Sequence, residues 1–381
     1  MKNSIYSEEH RIFRDAFRKF IAREVAPHLG AWEEEGTVPR HMWTRMGEQG
    51  FLCPWVDEAY GGLSADFAYS IIINEELGKI GAQGFMVGLH SDIVAPYINS
   101  LGTEPQKKKW LPGAVTGEIL MAVAMTEPNA GSDLQGIRTK AVKDGNNWVI
   151  NGQKTFISLG ENCDLVIVAC ITDPDAPNPS KGMSLIVVED GTKGFSKGPR
   201  LKKMGMKMSD TNELIFEDCR VPLDHLLGTE NMGFAYLIQQ LQRERLICSI
   251  YAQTASEAML EMTVKYCQER EAFGVPIGRL QHNTFKLAEM ATEVDIGRNY
   301  LDSLLTRHME KKAIMKEVSM AKWWLAETAN RIAYTCVQLH GGYGYMEEYP
   351  ICRWYRDVRV MAIFAGTTEI MKQIIGKKIG F

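Results

Sequence analysis

Through its first third the chain places apolar side chains on helical faces. Over residues 6–31, Phe13, Phe17, Phe20 and Ile21 fall near helical spacing among Arg, Lys and Glu, which predicts an amphipathic helix. Ser7 stands where an N-cap belongs. Pro27 should end or kink the helix, because it has no N–H to donate. Residues 67–77 and 91–101 predict further helices.

After Gly117 the texture changes. Residues 121–221 hold short runs rich in β-branched side chains, divided by turn signals. DLVIVACI, GMSLIVVED and NELIFEDCRV read as strands. In AVKDGNNWVINGQKTFIS, Asp144-Gly145 and Asn151-Gly152 both predict tight turns. No helix intervenes, which predicts an antiparallel sandwich or barrel rather than a doubly wound sheet. From Met232 long helical patterns return, over residues 233–269, 281–311 and 316–339, with a short one over 367–377. Long helices with short connections predict a bundle.

The expected architecture is therefore α+β, in three units. These are an N-terminal helical unit over residues 1–120, an antiparallel β-barrel or sandwich over 121–230, and a C-terminal four-helix bundle over 231–381. The length of 381 residues agrees, being too great for one ordinary core. Junctions between such units are where ligands bind.

Composition narrows the function classes. Hydrophobic content of 45% and charged content of 24% are those of a folded globular chain. A net charge of −4 offers no basic surface for nucleic acid or anionic membrane. No apolar run is long enough for a membrane span, and the amino terminus lacks the apolar stretch of a secretory signal. The eight cysteines are scattered with no CxxC pair, so no metal site is expected and reduced thiols in the cytoplasm are the reading.

No GxGxxG opens a helix after a strand, and no GxxxxGK[ST] occurs, which argues against nicotinamide-Rossmann and P-loop chemistry. The glycine-rich segments lie elsewhere. MAVAMTEPNAGSDLQG starts as a strand and breaks at Pro128 into a loop of small and polar residues. There backbone N–H groups and the hydroxyls of Thr126 and Ser132 can approach a planar or phosphorylated ligand. QLHGGYGY follows a helix, with Gly341 suited to the C′ position. REAFGVPIGRLQ offers Arg270, whose fork of donors suits phosphate. Each segment alone reads as an ordinary connection.

Together MTEPNAGSDLQG, KTFIS, REAFGVPIGRLQ, QLHGGYGY and AGTTEIMK, in that order and spacing, resemble the acyl-CoA dehydrogenase family over nearly the whole chain. HSDIVAPYI, QRERL and YCQEREAFG look most like its long-chain branch. The resemblance implies FAD as cofactor and α,β-dehydrogenation of an acyl-CoA thioester. It implies that Val123, Met125, Thr126, Gly131 and Ser132 line the flavin, with Phe156, Ile157 and Ser158 against the isoalloxazine. Arg270, Phe273, Gln281, Gln338, Leu339, Gly341 and Gly342 would hold the pyrophosphate and adenosine of a neighbouring subunit's cofactor. Thr367, Thr368 and Glu369 would complete the site. A shared site of this kind implies a homotetramer, and the family's acceptor is an electron-transferring flavoprotein.

Many members carry a glutamate directly before the Gly-Thr pair that here is Gly366-Thr367. This chain has Ala365 there, which cannot take a proton. By resemblance to the long-chain and isovaleryl types, the base is Glu244 in LQRERL. A carboxylate facing an apolar pocket becomes a stronger base once substrate excludes water. Arg243 and Arg245 point about 100° away on a helix and need not quench it. The resemblance assigns Ser132, Tyr236, Arg245, Ala365 and Gly366 to the substrate, and the Glu369 N–H to the thioester oxygen. Asp92, in GLHSDIVAP, is a second candidate acid for chemistry beyond the α,β pair; its plainer reading is a helix N-terminal Asp accepting from backbone donors. The acyl group is expected to be a medium or long straight chain, or else branched or alicyclic. Two other functions fit the same fold: a flavin oxidase or monooxygenase, and a non-catalytic acyl-CoA-binding protein.

Overall fold

The computed structural model describes residues 5–381. The chain runs helices, strands, helices. The first unit holds α1 (Glu8–Glu24), α2 (Leu29–Glu35), α3 (Arg40–Glu48), α4 (Phe67–Lys79), α5 (Ala95–Leu101) and α6 (Glu104–Thr116). Ser7 caps α1 as expected: its Oγ accepts from the His10 N–H, and His10 Nδ1 accepts from the Ser7 N–H in return. Pro27 sits in a 3₁₀ turn that separates α1 from α2. Phe17 and Phe20 of α1 pack edge-on to Phe51, at 4.7 and 5.2 Å between ring centroids.

One helix differs from the pattern. Residues Leu89–Val94 form a π-helix that runs directly into α5. Such turns are rare and concentrate at functional sites.

The middle unit is an eight-stranded sheet: β1 (Met121–Ala124), β2 (Lys140–Asp144), β3 (Asn147–Ser158), β4 (Leu165–Ile171), β5 (Met183–Glu189), β6 (Phe195–Arg200), β7 (Thr211–Pro222) and β8 (Leu226–Leu227). Its order is β6-β7-β3-β2-β4-β5-β8, with β1 added to β4. Most pairings are antiparallel, but β1 and β2 both meet β4 in parallel. Asp144 and Asn147 face each other across a two-residue turn with Gly145 at φ +58°, so the first predicted turn forms. The second does not. Asn151-Gly152 lies inside β3, where the register against β7 shifts. Gly152 adopts φ +151°, and a Cβ there would stand 2.5 Å from Thr139 Oγ1. The dipeptide serves a bulge and a close strand approach, not a chain reversal.

The last unit is built on α7 (Gly233–Glu269), α8 (Gln281–Met309), α9 (Met315–His340), α10 (Pro350–Val358) and α11 (Thr368–Lys378). A small hairpin, β9 (Glu271–Ala272) with β10 (Val275–Pro276), joins α7 to α8. Residues 244–256 of α7 are buried without a break, so this stretch runs through the interior rather than along a surface. α1 and α4 are tied to the bundle by ions: Arg14 and Arg18 meet Glu75 and Glu76, and Arg298 of α8 meets Glu75 and Glu257. No helix among the described residues is long and apolar enough to cross a membrane.

Candidate active site between the bundle and the sheet

Glu244 opens the buried run of α7 and is 7% exposed. Its Oε2 has no hydrogen-bond partner among the described residues. Burial raises its carboxyl above the ordinary range, and the charges of Arg245 and Lys322 oppose that rise without cancelling it. Tyr97 of α5 is fully buried with an unpartnered hydroxyl, held protonated by burial and by the charge of Glu244. Val123 and Met125 of the β1 segment pack with Tyr236 on the apolar cluster that contains Tyr97 and Leu237. The Glu244 carboxylate thus acts on Tyr97 of α5, a residue of the apolar cluster that α5 shares with the sheet.

The neighbours of Glu244 point elsewhere. Arg243 meets Asp92 at 2.7 Å, and its guanidinium lies 4.6 Å over Trp55 and 4.8 Å over Phe67. Arg245 donates through Nη1 to Ser319 Oγ at 3.3 Å. The other Asp92 oxygen accepts from Asn74 Nδ2 at 2.9 Å. Both oxygens are therefore engaged by side chains. This corrects the plainer reading of Asp92 as an acceptor of backbone donors, since the π-helix turns its carboxyl toward α4 and α7 instead. It also argues against Asp92 as a second acid. Adjacent His90 hydrogen-bonds the Ala114 carbonyl at 2.9 Å, and burial lowers its pKa to about 4, so it stays neutral.

A second cluster lies on the sheet. Lys154 of β3, fully buried, donates to the Met125 carbonyl at 3.0 Å and to Glu127 Oε1 at 2.8 Å. Glu127 also accepts from the Arg138 and Thr139 N–H groups. This clamp fixes the loop after β1, and Thr155 N–H to the Thr126 carbonyl at 2.9 Å completes it. Beyond it, Gly131 and Ser132 are exposed. Lys154 and Ile157 flank a second register shift, which leaves Phe156 at φ +57° and 68% exposed. Ile157 by contrast is buried in the core, so its side chain is not presented to a ligand as expected; the bulge turns out Phe156 in its place. Ser158 pairs in register with Thr211.

A third group surrounds the start of α11. Ala365 and Gly366 have φ +52° and +95°, and Thr367 N-caps the helix by accepting from the Ile370 N–H. A cavity of about 330 Å³ is lined by Glu327, Asn330, Arg359, Thr367, Thr368 and Glu369. The Glu369 N–H belongs to the first turn of α11.

Arg270, Phe273, Gln281, Gln338, Leu339, Gly341 and Gly342 gather at the opposite end of α7 from Glu244. The Arg270 guanidinium lies 5.6 Å over Tyr343, and Tyr266 stacks on His340 at 4.2 Å. Gly341 ends α9 at φ +61°. Phe273 occupies the hairpin turn at φ +56° and is 92% exposed. Sequence reasoning passed over Tyr97, Glu127, Lys154, Lys322 and Arg359. For Lys322 a signal existed: it falls on the apolar phase of α9, between buried Val318 and Leu325.

Family models for the acyl-CoA dehydrogenase N-terminal, middle and C-terminal domains match residues 7–118, 122–219 and 231–380. The long-chain specific acyl-CoA dehydrogenase of Sus scrofa is 48% identical over 375 residues, covering 98% of this chain and 87% of that protein. The cyclohex-1-ene-1-carbonyl-CoA dehydrogenase of Syntrophus aciditrophicus (strain SB) is 37% identical over 98% of this chain and 91% of that protein. A crystal structure of acyl-CoA dehydrogenase from Geobacillus kaustophilus superposes with a TM-score of 0.98 at 56% identity, covering 99% of this chain and 100% of that one.

Proposed function

Because this chain belongs to the acyl-CoA dehydrogenase family, an FAD-dependent oxidoreductase acting on acyl-CoA, we propose that Glu244 is the base that removes the α proton of the thioester. The supporting observation is its buried, unpartnered Oε2 on a carboxylate whose proton affinity burial has raised. When bound, FAD accepts the hydride that leaves the β carbon. The C–H electron pair at Cα becomes the new double bond, and the proton stays on Glu244.

The residues present fit such a cofactor. Phe156 stands out of the sheet beside the clamped loop, offering an apolar face. The cavity at α11 offers Arg359, Asn330 and two threonines as donors for a polar tail. Val123, Met125, Thr126 and Ser132 would border the ring system, and Thr367 to Glu369 the tail. Substrate would lie against Tyr236, Arg245, Ala365 and Gly366. The thioester oxygen needs an N–H. Those of Ala365 and Gly366 have no acceptor among the described residues, and a Cβ added at Gly366 would stand 3.9 Å from Arg245 Nη2, which supports these two amides for the role beside the Glu369 N–H.

We infer a homotetramer that shares its cofactor sites. At 1.5 Å per residue, α7 carries Arg270 about 39 Å from Glu244, beyond the reach of one extended dinucleotide. Arg270, Phe273, Gln281 and Gln338 to Gly342 would therefore serve a neighbour's flavin. The proposed substrate is a medium or long straight-chain acyl-CoA. The likeness to a long-chain specific relative supports this, and so does the engagement of Asp92 by Arg243 and Asn74, which withholds a second acid from ring chemistry. The proposed electron acceptor is an electron-transferring flavoprotein and the proposed location the cytoplasm. The test is Glu244→Gln: FAD should remain bound while bleaching by acyl-CoA under anaerobic conditions is lost. Near-normal bleaching would refute the assignment.

A further inference from the structure

Lys322 is 1% exposed in α9, yet no carboxylate lies within salt-bridge distance of its ammonium among the described residues. Its one hydrogen bond runs to the Gly366 carbonyl, at 2.6 Å. The ammonium also lies 5.9 Å from the Phe364 ring. Arg245 is in the same position: buried and, among the described residues, without a carboxylate partner, its side chain bonded to Met315 Sδ and Ser319 Oγ. Isolated buried cations are costly, and neither serves packing as well as an apolar side chain would. Glu244, Glu327 and Glu369 act on Lys322 electrostatically, with Arg245 and the Cys248 thiol also near, yet none of them hydrogen-bonds its ammonium among the described residues. The segment that Lys322 holds is the one with Ala365 and Gly366 at positive φ, which presents two uncommitted N–H groups.

We propose that Lys322 is a positioning residue of the dehydrogenation, clamping the Gly366 carbonyl so that the Ala365 and Gly366 amides face the thioester and supplying positive charge to the oxyanion that forms there. The inference rests on Glu244 as the base. A clamp on the Gly366 carbonyl fixes the plane of the Gly366–Thr367 peptide, and this anchors the carboxyl end of the turn that carries the Ala365 and Gly366 amides. A fixed donor needs no reorganisation as charge develops. The same cation favours the ionised form of Glu244, so its removal should make the base harder to ionise.

The test is Lys322→Met and Lys322→Arg in the holoenzyme, with anaerobic flavin reduction followed across pH. Lys322→Met should slow the limiting rate by on the order of tenfold to a hundredfold. It should also move the acid limb of the profile upward by about one pH unit. Lys322→Arg should leave the limb where it lies in the wild type, because the charge stays. A purely structural lysine would change flavin content or stability without moving the limb. If Lys322→Met does not retain FAD, Lys322→Gln carries the same comparison. A limb and limiting rate within twofold of wild type would overturn the proposal while leaving Glu244 as the base. Undiminished reduction in Glu244→Gln would overturn both.

Discussion

Two buried carboxylates in this chain meet opposite fates. Glu127, on the sheet, accepts from the Lys154 ammonium and from two backbone N–H groups, and these donors pull its pKa below the ordinary value despite burial. Glu244, on α7, is buried too, but its Oε2 has no partner and its pKa stands above the ordinary value. Burial pushes both the same way; the donor set decides the outcome. The sheet uses its carboxylate as a fastener for the loop after β1. The bundle keeps its carboxylate unsatisfied, a cost that accords with the proposed role of Glu244 as a base.

The sharpest way to break this contrast is Glu244→Gln. It should lower flavin reduction by about 10²- to 10⁴-fold, the usual span for a general base, in a stopped-flow measurement. Next comes Lys154→Met, which leaves Glu127 buried and unpaired. That should cost about 3–5 kcal/mol of stability and release FAD on dilution, as read by denaturant titration and flavin fluorescence. Wild-type stability and flavin content would remove the fastener role.

The two sites should also separate on a pH axis. Glu127, with its lowered pKa, contributes stability above the unfolded carboxyl value and loses it only as pH falls through its own folded value. Glu244, with its raised pKa, is protonated earlier on the way down. A mildly acidic window should therefore exist in which FAD stays bound and the fold is intact, yet reduction by acyl-CoA has stopped. Coincident loss of both would contradict the comparison. The smallest effect concerns stability. Removing the unsatisfied carboxylate should let Glu244→Gln melt about 1–3 °C above wild type at pH values above the raised Glu244 pKa.

Much of the scaffold was legible. The periods of 3.6 and 2 located α1, α4, α7, α8, α9 and the main strands, because each buries one continuous face or is buried all round. Helices α3, α6 and α10 went unread. α6 had its signal, Thr103 and Gln106 forming a capping box, but Pro105 and Pro112 obscured it. Asn151-Gly152 misled because the dipeptide suits a turn or a bulge, and contact with Thr139, not local sequence, chose between them. The site was legible only through family likeness. Nothing local tells that the Glu244 charge acts on the Tyr97 hydroxyl or that Asp92 meets Arg243, since these residues lie far apart along the chain. Lys154 was missed because a single lysine in a strand reads as a wet face, and Lys322 was missed although its place on the apolar phase of α9 marked it.

The span of α7 has a bearing on how the enzyme behaves in a test tube. Under the proposed sharing of cofactor sites, the length of α7 between Glu244 and Arg270 makes each flavin a guest of two chains. Retention of the yellow colour then obeys mass action between protomers, and progressive dilution should discharge the cofactor and the activity together, restored on reconcentration with added FAD.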